Sequence, residues 1–135
     1  MLNALYKTNI YAIRAVAQHI RALQVDESLA AQDLAIVEKI ARVEFNGKRR
    51  RNYSFATKYC AWHRPELYPI YDRNVDYLLW GYHCQEQFAD FDRRDMWSDY
   101  AAFVRIYDAF RSHFSLEAYS YRQIDKFLWR YGRQG

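Results

Sequence analysis

The sequence predicts an all-α fold: a single-domain orthogonal helical bundle of five or six helices, carrying at most one short β-hairpin. Two observations carry this. Apolar residues recur at helical spacing through several segments, most of them preceded by a residue able to cap a helix. Only four glycines and two prolines are present, too few for a turn-rich all-β chain or a disordered linker. At 135 residues the chain, 1–135, is expected to be one domain, long enough to bury most of the surface its unfolded state exposes.

Asn9–Leu23 opens the bundle, with Ile10, Ile13, Val16, Ala17, Ile20 and Leu23 on one face and Arg14, Gln18 and Arg21 between them. Asp33–Arg42 repeats the pattern with Leu34, Val37, Ile40 and Ala41. Val43, Phe45 and the Asn46-Gly47 pair then read as a tiny hairpin, because Asn-Gly tolerates the two positive φ values that a tight turn needs. Four cations follow, Lys48, Arg49, Arg50 and Arg51, as a solvated loop or as a phosphate-binding run. Their place before a helix start supports the second, since helix N-termini and arginines both attract phosphate oxygens. Ser54 is the expected N-cap of a short helix over Phe55–Trp62, with Lys58 in its first turn. Pro65 and Pro69 fix their own φ and restrict the residue before them, which makes His63–Tyr71 a stiff, partly extended connection. Asp72 is a natural N-cap for the next helix, Arg73–His83, whose stripe is Val75, Leu78, Leu79 and Tyr82.

Gln85–Asp95 has the composition of a loop with one helical turn. Trp97–Phe114 is the next helix, expected to be capped by Ser98. The last helix is the best signalled. Ser120 and Gln123 form a capping box, Ile124, Phe127, Leu128 and Tyr131 form the face, and Gly132 ends it.

Thirteen tyrosines among 19% aromatic residues place amphipathic rings in the interior or on a binding surface. Twenty basic against sixteen acidic residues give a net charge of +4 and a pI near 9.1, a balance compatible with a nucleic acid partner. No apolar run approaches the ~20 residues of a membrane span, and no signal peptide is evident. Two cysteines make a poor disulfide framework, so free thiols and a reducing, cytoplasmic setting are expected. Cys60, His63, His83 and Cys84 make a Cys2His2 set on paper, but adjacent ligands such as His83 and Cys84 rarely reach one ion. No metal and no cofactor are expected.

The run SFATK, the later PIYD and the final helix IDKFLWRYG resemble the helix-hairpin-helix DNA glycosylases, most nearly a small bacterial group similar to 8-oxoguanine DNA glycosylase. The likeness covers about Asn52–Val75 and, more loosely, the last helix. It implies a helix-hairpin-helix-like element, with Lys58 at the position of the lysine nucleophile and Asp72 at that of the aspartate. Where the family hairpin is rich in glycine, this chain has Asn52, Tyr53, Ser54, Phe55 and Ala56. Backbone N–H groups therefore approach a phosphate less closely here.

The chemistry implied is base excision. A lysine attacks the sugar C1′ only as the free amine, which burial or neighbouring cations such as Arg49, Arg50 and Arg51 would favour. An aspartate beside it stabilises the cationic sugar or takes the lysine proton. The base must first leave the stack for an aromatic pocket, for which Tyr53, Trp62, Tyr68 and Tyr71 are the candidates. Lys48, Arg49, Arg50, Arg51 and Ser54 would hold the nucleic acid, most simply duplex DNA. The alternative is a catalytically inactive module on the same scaffold, binding nucleic acid, a protein partner or a second copy of itself. No membrane partner is expected.

Overall fold

The computed structural model describes residues 14–45 and 47–132. The expected Asn9–Ile13 part of the first helix, Asn46, and the side chains of Phe45, Lys48 and Tyr131 lie outside the described residues. The fold is mostly helical. Eight helices occur among the described residues: α1 over 14–23, α2 Asp26–Ala30, α3 Ala35–Ala41, α4 Tyr53–His63, α5 Arg73–Glu86, α6 Asp95–Ser98, α7 Tyr100–His113 and α8 Tyr121–Gly132. The six expected helices are α1, α3, α4, α5, α7 and α8. The two further ones, α2 and α6, are five and four residues long, too short to carry a helical period in sequence.

The cationic run does not form a loop. Lys48–Arg51 is strand β2, paired antiparallel with β1, Arg42–Phe45, in the register Arg42 to Arg51 and Phe45 to Lys48. This register leaves two residues for the turn, and Gly47 adopts φ +72°, as an Asn-Gly hairpin requires. The hairpin is closed at its base by the Asn52 N–H donating to the Ala41 carbonyl at 2.7 Å. Chain direction is thereby reversed between α3 and α4, and these two helices pack against each other.

Two caps depart from the expectation and two follow it. Asn52, not Ser54, precedes α4, and no side chain caps that helix, because the chain enters it directly from β2. Asp99, not Ser98, caps α7: its carboxylate accepts from the Ala101 N–H, while Ser98 belongs to α6. Asp72 caps α5 as expected, its Oδ1 accepting from the Val75 N–H at 2.9 Å. The capping box of α8 is closed in both directions: Ser120 N–H donates to Gln123 Oε1, and Gln123 N–H to Ser120 Oγ.

The core joins Ile36, Val37 and Ile40 of α3, Ala56 and Cys60 of α4, Val75 and Leu79 of α5, Phe103 and Tyr107 of α7, and Leu128 of α8. Three tyrosines, Tyr53, Tyr68 and Tyr100, enter it with their hydroxyls on backbone carbonyls, which answers the polar handle that burial would otherwise strand. Tyr53 donates to Met96 O at 2.8 Å and Tyr100 to Pro69 O at 2.7 Å. Tyr68 sits among the carbonyls of Ser28, Leu29 and Asp33. The proline connection is therefore pinned from α7 and bonded to the turn after α2. Both cysteines are free; Cys60 is buried and Cys84 exposed. Among the described residues no helix is long and apolar enough to cross a membrane.

Candidate functional site

Lys58 is the sixth residue of α4, past its first turn rather than in it. The shift follows from the helix starting at Tyr53, where the strand ends. Its neighbour Thr57 is fully buried and ties α4 to the end of the proline connection: its hydroxyl donates to Ser54 O at 2.8 Å and accepts from the Tyr71 N–H at 3.0 Å. Asp72 follows Tyr71 directly. One buried threonine thus sets the position of Asp72 relative to the helix that carries Lys58.

Lys58 lines a cleft of about 250 Å³ between α4, the proline connection and α8. Ala61, Trp62, Pro65, Tyr68 and Ile70 form one side; Tyr121, Arg122, Asp125 and Lys126 of α8 form the other. α8 is brought there by its packing on α5. Trp62 stands 81% exposed at the cleft, a large flat surface available for stacking. Asp125 is half-buried. Burial first, then the neighbouring Asp72 charge, push its carboxyl up to about 6, against the opposing pull of Lys58. The three ionisable groups Lys58, Asp72 and Asp125 therefore share one electrostatic neighbourhood.

The four ring candidates divide. Trp62 and Tyr68 line the cleft, Tyr68 as a buried wall whose phenol burial pushes up to about 12. Tyr53 is only 5% exposed, packed on Tyr71 and Tyr100, and offers no surface to a base. Tyr71 meets Tyr53 and Phe103, and its hydroxyl donates to Asp76. Tyr121 lines the cleft, whereas these two do not.

The cationic run stands elsewhere. Arg49, Arg50 and Arg51 line a separate polar depression with His19, Arg42 and Glu44. Arg49 and Arg50 are exposed, whereas Arg51 is engaged: its Nε and one terminal nitrogen donate to the two Glu38 oxygens at 2.7 and 2.8 Å, the other to Trp97 O at 2.6 Å. Its guanidinium also covers the Tyr53 ring at 4.3 Å. Arg51 is a structural residue, and Ser54 sits inside the first turn of α4 with its carbonyl taken by Thr57. Arg49, Arg50 and Arg51 do not line the cleft of Lys58. Cys60 is a core residue whose thiol burial pushes up to about 12, and no three His, Cys, Asp or Glu among the described residues converge as metal ligands would.

Sequence reasoning did not single out Thr57, Tyr121 or Asp125. Asp125 stands between Ile124 and Lys126 in an amphipathic pattern, where a solvent-facing carboxylate is the ordinary reading. The signal that finds it is tertiary: α8 lies with this position turned toward α4 and the start of α5.

The HI_0787_N family model, described as an N-terminal domain, matches residues 1–67. This match takes in the β-hairpin, α4 and Lys58 but stops before Asp72 and Asp125. A Haemophilus influenzae protein bearing the name "Uncharacterized protein" is 34% identical over 133 residues. That is 98% of this chain and 63% of the relative, so the chain spans less than two thirds of the relative's length. No solved structure is matched.

Proposed function

We propose that this chain acts on DNA in the manner of a base-excision glycosylase or abasic-site lyase, with Lys58 as the nucleophile and Asp72 as the carboxylate that stabilises the cationic sugar. The observation that carries the reading is that Lys58 lines a cleft whose wall is an exposed indole, with the Asp72 charge close enough to act on the Asp125 carboxyl of the same cleft. An amine is what an electrophilic C1′ requires, a carboxylate favours the cation that forms, and a flat exposed ring receives an unstacked base. The rim cations Arg122 and Lys126 stand where a sugar–phosphate strand would pass.

The test is borohydride trapping on duplexes carrying an abasic site, oxidised bases or modified cytosines. Wild-type protein is expected to be trapped, Lys58→Ala to give no adduct, and Asp72→Asn to be trapped more slowly. An adduct that survives Lys58→Ala would reject Lys58 as the nucleophile.

A second reading rests on its own observation. The exposed cations of the hairpin lie apart from the Lys58 cleft, and α4 begins without glycine, which suits a module that holds nucleic acid or a protein without acting on it. That reading expects no adduct with any of these duplexes, together with duplex affinity that falls steeply with salt if DNA is the ligand.

A further inference from the structure

Among the described residues, few buried side-chain polar atoms lack a hydrogen-bond partner, and two of them face the same region: Asp125 Oδ1 on α8 and Tyr107 Oη on α7. Tyr107 is fully buried, and after its burial the Asp125 charge is the next largest influence on its phenol. An unanswered carboxylate oxygen and an unanswered hydroxyl behind a cleft are costly in a fold that otherwise satisfies its tyrosine hydroxyls. Asp72 is placed differently. Its Oδ1 is committed to the Val75 N–H, and it does not line the cleft, whereas Asp125 does.

We propose that Asp125, and not Asp72, is the catalytic acid of this cleft, giving a proton to the oxygen that leaves when Lys58 condenses with an abasic-site aldehyde. The inference rests on the reading of Lys58 as a nucleophile given above. In the step, the Lys58 amine adds to the C1′ aldehyde of the opened sugar and a neutral carbinolamine forms. The Asp125 carboxyl then donates its proton to the carbinolamine hydroxyl, the C–O bond breaks, and water departs. The nitrogen lone pair closes the C=N bond, leaving an iminium cation beside the Asp125 carboxylate. Charge and atoms balance without a co-reactant.

The setting suits an acid that is protonated and ionised in turn near neutrality. Facing Asp125 are Lys58 from α4, Asp72 from the cap of α5 and Tyr107 from α7, with Arg122 and Lys126 on its own helix. Asp72 and burial hold the proton on; Lys58 opposes them. Once Lys58 has become the iminium, its fixed positive charge favours the carboxylate that the step leaves behind.

The probe is one duplex carrying a single abasic site, with the rate of borohydride adduct formation followed across pH for wild type, Asp125→Asn, Asp72→Asn and Lys58→Ala. Asp125→Asn is expected to form the adduct about 100-fold more slowly at acid pH, the scale of a lost general acid. The ratio of wild-type to Asp125→Asn rates should fall as pH rises through about 6. Asp72→Asn, which retains the Asp125 acid, should keep a pH-dependent rate with its midpoint moved to lower pH. Equal rates for wild type and Asp125→Asn, or a slowing that is the same at every pH, would overturn the proposal while leaving Lys58 as the nucleophile. Absence of a wild-type adduct, or one that survives Lys58→Ala, would remove the underlying reading and the proposal with it. Carboxyl NMR of the folded wild-type protein gives an independent check: Asp125 should titrate near 6, and a midpoint in the usual aspartate range would also overturn it.

Discussion

A carboxyl group that the fold holds partly buried and without a hydrogen bond to one oxygen should cost stability when it ionises. Burial, then the Asp72 charge, push the Asp125 carboxyl up to about 6 in the folded protein, against 3.8 ordinarily. Between those values the native state binds the more protons, so stability is full at low pH and is lost as pH rises through about 6. Asp125→Asn removes the ionisation. It should raise stability by about 1–2 kcal/mol above this window, solvent screening having been allowed for, and by almost nothing below it. Paired thermal melts at about pH 4 and about pH 8 measure the difference. An equal effect at both would mean that burial does not act on this carboxylate. The position also marks what the sequence hides. Asp72 was legible as a helix cap because it sits directly before the helix it caps, whereas Asp125 acquires its environment from Lys58 of α4, Asp72 before α5 and Tyr107 of α7, all distant from it in the chain. Tyr100 carries a related lesson: its periodicity puts it in the core, but only the fold shows its hydroxyl on Pro69 O. Tyr100→Phe leaves that buried carbonyl unanswered, and denaturant melts should show a loss of about 1–2 kcal/mol.

At the level of elements, caps were legible where side chain and helix start are contiguous, as at Asp72 and at Ser120 with Gln123. They were misplaced where a neighbouring element takes the residue. Ser54 is a good capping residue, but β2 runs to Arg51 and delivers the chain into α4 at Tyr53. Ser98 is consumed by α6, so Asp99 takes the cap of α7. The loop reading of the cationic run failed for a physical reason as well. Charged residues are poor strand formers, yet pairing with β1 and the Asn-Gly turn override that preference. Arg51 shows how the strand is held, through its paired bonds to Glu38, its bond to Trp97 O and its contact with the Tyr53 ring. The Arg51 guanidinium holds the Glu38 carboxyl below its ordinary range. That contribution is present above the unfolded value and is lost as pH falls through the folded one. Arg51→Lys keeps the charge but not the planar fork. It should lower stability by about 1–2 kcal/mol at neutral pH, with a smaller loss once Glu38 is protonated. Equal loss at both pH values would assign the effect to the ring contact and the Trp97 carbonyl instead.

Across the whole molecule, a net charge of +4 is too small to bind nucleic acid by sheer potential, so placement has to decide. Two cationic regions stand apart: Arg49 and Arg50 with Arg42 on the hairpin side, and Lys58, Arg122 and Lys126 around the cleft. Arg51 reaches from β2 to Glu38 of α3 and is spent on the fold. The proposed action on DNA makes the second region the place of contact, since an unstacked nucleotide must bring its flanking phosphates to the rim. Each phosphate contact removed should lower the slope of log affinity against log salt by about 1. Arg122→Ala and Lys126→Ala should therefore each flatten the salt dependence for duplex carrying an abasic site, with folding intact. Arg49→Ala and Arg50→Ala should change it only if the strand also runs across the hairpin. Titrations by fluorescence anisotropy at several salt concentrations separate the cases. A slope that responds to the hairpin arginines and ignores Arg122 and Lys126 would place DNA on the hairpin side, away from Lys58, and would favour a binding module over an enzyme.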